Sequence, residues 1–401
     1  MIDKRKNKAN VPNLRFPGFE GGWVEKKLGE ICEVIGGGTP ETNKNEYWNG
    51  NIQWFTPTEI KTRFVSKSER TISELGLKKS SAKILPKGTI LLTTRATIGE
   101  ASIALEECTT NQGFQSLVVD KGYNNIFIYN WIKENKYELI KRSNGSTFPE
   151  ISKSEIEKIE INLPSIDEQK KISSFLSLLD NRIQTQIKII EELESLSKGL
   201  REKLFSQQLR FKDDKGNEFP DWEEKILGNL VEFKNGKAHE NDIDENGKYI
   251  VVNSKFISRV GDVKKYSNEC IMPLYKDEIV MVMSDVPNGK ALAKCFLIDE
   301  NNKYTLNQRI CGLKAFNCYN PFLYFMLNRN EYYLSFDSGV GQTNLRKEEV
   351  LKCPLIIPSS VQEQIKIAKL LLSIDQKINI SIKIFESLVK QKKYFLQQMF
   401  I

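Results

Sequence analysis

Very few residues in this sequence have the type and spacing that catalysis requires. The nucleotide-binding pattern Gly-x-x-x-x-Gly-Lys-Ser/Thr is absent, because Gly236-Lys237 and Gly289-Lys290 lack both the earlier glycine and the following hydroxyl. The run Gly36-Gly37-Gly38 does not have the Gly-x-Gly-x-x-Gly spacing of a dinucleotide site. His239 is the single histidine and lies in a polar segment with no nearby cysteine, so neither a metal site nor a nucleophile–histidine–acid triad is expected.

Two short patterns resemble catalytic motifs but depart from them. Asn320-Pro321-Phe322 is similar to the Asn-Pro-Pro-aromatic loop of adenine methyltransferases, yet one proline is missing, and the proline is better placed to open a helix. In Pro220–Lys225 the acids Asp221, Glu223 and Glu224 are nearly adjacent, whereas a two-carboxylate Mg²⁺ site needs acids from separate elements. We therefore expect a chain that is not an enzyme and that binds no cofactor or metal of its own.

Polar loop residues offer a different chemistry, the recognition of base edges in DNA. Arg, Lys, Asn, Gln, Ser and Thr make such contacts when loops are held by a rigid sheet. The candidates in the first half are Thr39, Lys61, Arg63, Arg95, Thr97, Asn111, Gln112, Ser146 and Thr147. Those in the second half are Lys237, Asn253, Lys255, Arg259, Gln308, Arg309, Gln342, Thr343 and Arg346. For each of them, the alternative is a solvated loop or turn-forming side chain.

Some polar and aromatic residues have a competing structural explanation. Asn111 and Asn307 occur in both halves, which favours hydrogen bonds inside the protein over base recognition. Trp54 and Phe114 are expected in the core or in a groove wall. Trp23 and Trp222 each precede the same strand entry and are expected in the core.

Two long helices must position these loops, and they are copies of each other. Residues 165–205 and 360–400 align without a gap, with 15 of 41 positions identical. Each begins with Ser-x-x-Glu, which predicts a capping box, and apolar residues follow at alternating three- and four-residue steps, a coiled-coil period. The predicted helix-pairing residues are Ile172, Leu176, Leu179, Ile183, Ile190, Leu193, Ile367, Leu371, Ile374, Ile378, Phe385 and Leu388. Polar residues interrupt both copies at matching places, Gln186 with Ser381 and Ser197 with Lys392.

The segments before the two helices are duplicated as well, more loosely. Trp23 and Trp222 stand 199 residues apart, and Asn111-Gln112 corresponds to Asn307-Gln308. We predict an α+β fold with boundaries at 1–164 (first globular domain), 165–205 (first long helix), 206–359 (second globular domain) and 360–401 (second long helix). The two mixed α/β domains are expected to be separated by the helices, which form an intramolecular antiparallel coiled coil with pseudo-two-fold symmetry. From the periodicity alone, the alternative is a coiled coil that serves only for oligomerisation. At 1.5 Å per residue each helix would be roughly 60 Å long, more than one turn of B-DNA.

Composition limits the class of protein. The net charge of +7 attracts nucleic acid only mildly. No run of about 18 apolar residues is present, the start lacks the apolar region of a secretory signal, and the seven cysteines include no Cys-x-x-Cys pair. A cytoplasmic protein with no membrane association is expected, and binding to double-stranded DNA is implied only by the resemblance described next.

The doubled set of motifs resembles the specificity (S) subunit of type I restriction–modification systems. The resemblance rests on the helix entries LPSIDEQKKI (163–172) and IPSSVQEQIKI (357–367), with Gly-Gly-Thr-Pro, Leu-Pro-Lys-Gly-Thr and Arg95-Ala96-Thr97-Ile98-Gly99 in the first half. It covers nearly the whole chain, as two target-recognition domains and two helical regions. The second half departs from the pattern at Met283–Gly289 and at Gly341-Gln342-Thr343.

The resemblance implies a subunit without catalysis of its own. Each recognition domain would read one half of an asymmetric bipartite site, and the helices would set the spacing and dock two methyltransferase subunits. That assembly would methylate adenine at N6 from S-adenosylmethionine, and motor–nuclease subunits would add ATP- and Mg²⁺-dependent restriction. The alternative from the residues alone is a coiled-coil DNA-binding scaffold or regulator without an enzyme partner.

Overall fold

The computed structural model describes residues 10–95, 97–145, 149–239 and 241–401. The chain divides into two compact units, and each unit is built from separate stretches of sequence. The first contains the chain up to Ile189 together with Ser381–Ile401, and the second contains Ile190–Ile380. These limits fall within the long helices, because each half of a helix packs with the unit at its own end.

The first unit is α+β. Its helices are α1 Leu28–Ile31, α2 Glu74–Lys78, α3 Asn125–Glu134, α4 Lys136–Lys141, α5 Lys153–Glu157 and the first part of α6 Ile166–Phe205. Its strands are β1 Val24–Lys27, β2 Cys32–Gly36, β3 Trp48–Phe55, β4 Phe64–Val65, β5 Arg70–Ile72, β6 Ile90–Leu92, β7 Ala101–Ala104, β8 Thr109–Thr110, β9 Gln115–Val119 and β10 Glu160–Leu163. The sheet orders are β2-β9-β6-β7-β4, β5-β3-β8 and β1-β10.

The second unit has the same kinds of elements. Its helices are the last part of α6, α7 Ser254–Ser258, α8 Asn320–Leu327, α9 Glu331–Leu334, α10 Lys347–Leu351 and the first part of α11 Val361–Met399. The last part of α11 belongs to the first unit. Its strands are β11 Trp222–Ile226, β12 Val231–Asn235, β13 Tyr249–Val252, β14 Tyr266–Ser267, β15 Pro273–Leu274, β16 Ile279–Val282, β17 Ser284–Asp285, β18 Cys295–Leu297, β19 Tyr304–Leu306, β20 Ile310–Ala315, β21 Thr343–Asn344 and β22 Pro354–Pro358. The sheet orders are β12-β20-β16-β18, β14-β13-β19-β15, β11-β22 and β17-β21.

The duplication seen in the sequence extends to sheet topology. Strands β2-β9-β6-β7 correspond to β12-β20-β16-β18, and β1-β10 corresponds to β11-β22. Most pairings are antiparallel, but parallel pairs join β3 to β8, β4 to β7, and β13 to β19. The two globular domains therefore place corresponding chain segments at corresponding sheet edges.

Both long helices are present, and each unit contains one antiparallel pair of helix segments. In the first unit Phe175 contacts Phe395 at a ring separation of 4.8 Å, and Asp180 pairs with Lys392. Residue numbers rise along α6 while they fall along α11, as an antiparallel pair requires. In the second unit the equivalent pairing joins Arg201 to Asp375 at 2.9 Å.

All twelve predicted helix-pairing residues are buried or half-buried. They do not all serve the helix pair alone. Ile172 and Leu176 belong to the core of the first globular domain, and Ile367 and Leu371 belong to that of the second. Among the polar interruptions, Gln186, Ser197 and Ser381 are buried, whereas Lys392 makes the ion pair with Asp180.

In both predicted capping boxes the glutamate binds an arginine. The Ser165 hydroxyl accepts a hydrogen bond from the Glu168 amide at 3.3 Å, but the Glu168 carboxylate pairs with Arg15 at 2.7 Å. In the second copy Glu363 likewise pairs with Arg210, at 3.0 Å. A guanidinium offers a charge-assisted, two-pronged hydrogen bond, which is stronger than the single bond from a serine amide.

Two aromatic predictions have different outcomes. Trp23, Trp54 and Phe114 lie in the core, as predicted. Trp222 is only half-buried and packs at the margin of the second core, with its ring 6.3 Å from that of Phe322. Within the described part of the chain, no helix has the length and apolar content needed to span a membrane.

Candidate nucleic-acid interface

Three polar segments meet at one edge of the first globular domain. They are Gly37–Thr39, Thr93–Arg95 and Asn111–Gly113, and together they are called the first edge. The Gly38 amide donates to the Thr110 carbonyl at 2.8 Å, and the Thr94 amide donates to the Gly113 carbonyl at 2.8 Å. Backbone hydrogen bonds therefore fix the positions from which these side chains project.

The corresponding segments meet in the second globular domain. They are Gly236–Ala238, Met283–Asp285 and Asn307–Arg309, and together they are called the second edge. The Gly236 amide donates to Ile310 at 3.0 Å, and the Met283 amide donates to the Arg309 carbonyl at 3.0 Å. The same pattern of backbone hydrogen bonds thus recurs in both domains, although the side chains differ.

Five of the predicted residues lie at or beside the first edge. The Thr39 hydroxyl hydrogen-bonds the Gln112 side chain, and Arg95 forms an exposed ion pair with Glu150 at 2.8 Å. Thr97 is exposed beside Arg95. Asn111 is half-buried and its side chain accepts from the Gly113 amide at 2.8 Å, as expected of a residue that supports a turn.

The remaining predicted residues of the first half are placed differently. Lys61 is exposed after the short turn Pro57–Glu59. Arg63 is directed towards the first long helix, where its guanidinium binds Asp180 at 2.9 Å and Ser177 at 2.8 Å. This geometry favours a helix-anchoring role for Arg63 over base contact, because both terminal nitrogens are already engaged. Ser146 and Thr147 lie outside the described residues.

Five predicted residues lie at or beside the second edge. Lys237, Gln308 and Arg309 are exposed there. Gln342 is exposed and donates to the Ser284 hydroxyl at 2.7 Å. Thr343 is buried and pairs through the backbone with Asp285, so its side chain is poorly placed to reach a base.

Four predicted residues of the second half lie apart from the second edge or have a structural role. Asn253 caps α7, because its side chain accepts from the Phe256 amide at 2.9 Å. Lys255 and Arg259 are exposed on α7 and at its end. Arg346 is exposed immediately before α10.

His239 lies in a buried pocket rather than in the polar loop expected for it. Its Nδ1 lies 2.8 Å from the Lys237 carbonyl and must donate, since that carbonyl can only accept. Its Nε2 lies 2.8 Å from the Thr305 hydroxyl, which can donate to it. The histidine thereby ties the Lys237 loop to β19. The sequence gives little indication that His239 is buried, because its neighbours along the chain are polar.

Neither cysteine chemistry nor a metal cluster emerges in the described part of the chain. Burial raises the pKa of Cys108 and Cys311 to about 12, so both thiols stay protonated at neutral pH. No group of three or more His, Cys, Asp or Glu among the described residues is arranged to hold a metal ion. What the two edges offer is hydrogen-bonding and cationic chemistry on a fixed backbone.

The ion pairs Arg15–Glu168 and Arg210–Glu363, called the anchors, were not predicted from the sequence, although the sequence contains a signal for them. Arg15 and Arg210 are 195 residues apart, as are Glu168 and Glu363. Each glutamate is almost fully buried, at 1% and 0% exposure of its side chain. The neighbouring Gln169 and Gln364 each bridge the helix start to the adjacent domain, accepting from the amides of Asn124 and Tyr319. The adjacent Glu and Gln at the start of each long helix therefore join that helix to its neighbouring globular domain.

A sequence profile described as the type I restriction modification DNA specificity domain matches residues 20–195 and again residues 220–388. The chain belongs to that family. The two matches coincide with the two copies found in the sequence, so the predicted family and duplication are confirmed.

Relatives within the family bear the name specificity subunit. The type I restriction enzyme MjaIX specificity subunit of Methanocaldococcus jannaschii is 36% identical over 271 residues, which cover 63% of each chain. The EcoR124I/EcoR124II specificity subunit of Escherichia coli is 29% identical over 45% of this chain and 46% of its own length. The MjaVIII specificity subunit of M. jannaschii is 26% identical over 97% of this chain and 94% of the relative. The chain thus matches about half to two thirds of the first two relatives and nearly all of the third.

Solved structures share the fold. The S subunit of a type I restriction-modification system from M. genitalium has a TM-score of 0.67 at 19% identity and covers 98% of this chain and 99% of its own. A chain from a study of complex assembly and conformational transition of the type I R-M system has a TM-score of 0.53 at 14% identity, with 96% and 99% coverage. These similarities confirm the α+β fold with its pair of long helices.

Proposed function

We propose that this chain is the DNA sequence-specificity subunit of a type I restriction–modification complex. The observation that carries the proposal is the pair of edges, which share one pattern of backbone hydrogen bonds and differ in side chains. Two edges that differ in this way suit the recognition of two half-sites with different sequences. The first globular domain reads one half of a bipartite site, and the second reads the other.

Recognition does not need catalysis in this chain. Base contacts come from side chains held on rigid loops, whereas the target adenine must leave the helix to be methylated. The methyltransferase partner supplies the pocket for that flipped base and binds S-adenosylmethionine. ATP and Mg²⁺ belong to the motor–nuclease subunits that restrict unmodified DNA. This chain contributes binding, register and spacing in the cytoplasm, where the host DNA is.

The long helices are the proposed docking surfaces for two methyltransferase subunits. Large apolar side chains remain exposed along them, including Leu178, Leu196, Ile380, Ile384 and Tyr394. Exposed apolar groups in such number on a soluble helix are costly unless a partner covers them. The second helical segment, 360–401, carries 7 basic and 3 acidic residues, whereas 165–205 carries 7 of each, so the two docking surfaces are not equivalent.

Methylome sequencing tests the proposal. The chain is co-expressed with the methyltransferase subunit of its own host in cells that lack other adenine methylation. We expect N6-methyladenine in one bipartite motif with an unread spacer, and none when either protein is omitted. Methylation that persists without this chain, or that occurs in one uninterrupted motif, would contradict the proposal. A DNA-binding scaffold without an enzyme partner would leave the methylome unchanged.

A further inference from the structure

The two edges differ at two corresponding positions where glycines in one are cationic residues in the other. Gly38 and Gly113 occupy them in the first edge, and Lys237 and Arg309 occupy them in the second. The correspondence follows from the backbone. Gly38 and Lys237 both donate to the carbonyl of the residue that precedes the edge asparagine, Thr110 or Leu306. The carbonyls of Gly113 and Arg309 both accept from the middle segment of their edge.

A side chain has no room at either position of the first edge. A Cβ on Gly113 would lie 2.9 Å from the Pro57 ring and 3.0 Å from the Asn111 side chain. A Cβ on Gly38 would collide with Ser81 and the Ala82 backbone. The first edge is therefore closed to direct cationic contact at these positions and presents hydroxyl and amide groups, such as Thr39 and Gln112, instead.

The second edge is open at the same positions, and Arg309 occupies its position at a cost. Its backbone has φ of +66°, in the left-handed region that disfavours side chains other than glycine, asparagine and aspartate. A glycine would remove that strain, so the guanidinium is retained against the local backbone preference. Strained residues of this kind concentrate at functional sites.

The Arg309 side chain is exposed and its base is rigid. Ile310, which follows it, and Leu306, three residues before it, are fully buried, and the Arg309 carbonyl accepts a hydrogen bond from the Met283 amide. No hydrogen bond or ion pair within the described residues engages its guanidinium. Lys237 is exposed on the adjoining segment, and its carbonyl is held by the Gln308 amide and by His239. A rigid base spares a reading side chain much of the entropy of ordering.

We propose that Arg309 reads a guanine in the half-site recognised by the second globular domain, with Lys237 contacting the same base or the adjacent phosphate. A guanidinium matches the O6 and N7 acceptors of guanine in the major groove and binds both at once. The inference rests on the proposed function and deepens it. The second half-site contains a G·C pair that is recognised by charge and geometry together, from a position that in the first edge is occupied by a glycine without room for a side chain.

Three variants of the full chain, each co-expressed with the methyltransferase, test this proposal. Arg309→Gly removes the side chain and relieves the backbone strain. Arg309→Lys keeps the charge but loses the two-pronged geometry. Arg329→Gly is the matched control, because Arg329 also has a left-handed backbone, with φ of +60°, but its guanidinium donates to the Leu292 carbonyl. Motifs are read from methylomes, and methylation rates are measured with the purified complexes on oligonucleotides.

We expect Arg309→Gly and Arg309→Lys to lose at least about fivefold in preference for G·C at one position of the second half-site, since a bidentate pair discriminates by this much or more. The first half-site should stay unchanged, and Arg329→Gly should keep the whole motif. Replacing that guanine by 7-deazaguanine, which lacks the N7 acceptor, should slow the wild type and leave Arg309→Gly unaffected. The Arg309→Gly chain should melt at or above the wild-type temperature, which separates altered recognition from misfolding.

Two results would overturn the inference while the specificity function stands. One is a bipartite wild-type motif whose second half contains no G·C pair. The other is an Arg309→Gly methylome identical to that of the wild type. A wild type that produces no bipartite motif would remove the proposed function and this inference with it.

Discussion

The two globular domains share their anchors and differ at their edges. Arg15–Glu168 and Arg210–Glu363 are the same ion pair in the same place, 195 residues apart. Gly38 and Gly113, by contrast, correspond to Lys237 and Arg309. The comparison shows where a duplicated protein can diverge: contacts that join domain and helix stay fixed, while side chains on a shared pattern of backbone hydrogen bonds are exchanged. Recognition can then change without a change of architecture.

Removing an anchor should produce the largest effect. Arg15→Met and Arg210→Met each leave a buried glutamate without its partner, which costs about 3–5 kcal/mol. We expect the two variants to lose similar free energies of unfolding in urea titrations. An exposed pair provides the control, because Lys26→Met removes only the surface contact with Glu30 and should cost less than about 1 kcal/mol. Clearly unequal losses from the two anchors would show that the halves are not equivalent there.

Loss of His239 should affect the second domain alone. His239→Ala removes the bridge between the Lys237 carbonyl and Thr305, and leaving such buried groups unsatisfied costs about 1–3 kcal/mol. Hydrogen exchange at the Gln308 amide should accelerate, since that amide donates to Lys237. The corresponding residue of the first edge is Pro40, which cannot form this bridge, and Pro40→Ala serves as the control. Unchanged exchange at Gln308 would argue against the bridge.

A smaller effect is expected within the long helices. Gly199 lies inside α6, and a Cβ there would meet no atom within 4 Å. Gly199→Ala should therefore stabilise the chain by about 1 kcal/mol through helix propensity. The opposite is expected for Gly37→Ala, whose Cβ would collide with the Asn111 carbonyl. Thermal unfolding of the two variants compares them, and destabilisation by Gly199→Ala would reveal a need for flexibility at that point.

The smallest effect concerns two corresponding aspartates with different partners. Asp180 binds Arg63 and Lys392, whereas Asp375 binds Arg201. Burial raises the pKa of Asp375 above its ordinary value of 3.8, against the opposing effect of Arg201. A raised pKa means that the folded chain binds a proton more readily than the unfolded chain. The resulting stabilisation of the folded chain is fully present below pH 3.8, and it is lost as the pH rises through the raised pKa of Asp375 in the folded chain.

Asp375→Asn removes that titration. The stability difference between wild type and variant, measured by urea unfolding, should shift against the wild type as pH rises through this window. Other carboxyl groups contribute equally to both proteins and cancel in the difference. A difference that does not vary with pH would show that the pKa of Asp375 is the same in the folded and unfolded chain.

The repeated architecture was predictable because it rests on period and spacing. Heptad spacing located α6 and α11 to within a residue or two, and Pro321 opens a helix as predicted, at Asn320–Leu327. Helices α3 and α4 follow each other with a short interruption, and so do α8 and α9. Such interruptions depend on tertiary contacts that no local pattern contains.

The edge residues were only partly predictable. Loop position and side-chain type selected Thr39, Gln112, Lys237 and Arg309, all of which lie at the edges. The same criteria selected Arg63 and Asn253, which are occupied by an ion pair and a helix cap. Composition cannot separate these groups, because the distinction depends on partners far away in sequence. Glu168 was misassigned for the same reason, since its partner Arg15 lies 153 residues earlier.

The division of the chain into units has a consequence for its synthesis. The core of the first unit includes Met399 and Phe400 together with Leu176 and Phe127. Leu176 and Met399 are 223 positions apart, so translation at about 5–20 residues per second takes about 11–45 s between them. During that interval the apolar start of the first long helix has no final partner. A nascent chain of this kind should depend on chaperones, and an early stop should leave an aggregation-prone fragment even when the whole first domain has been made.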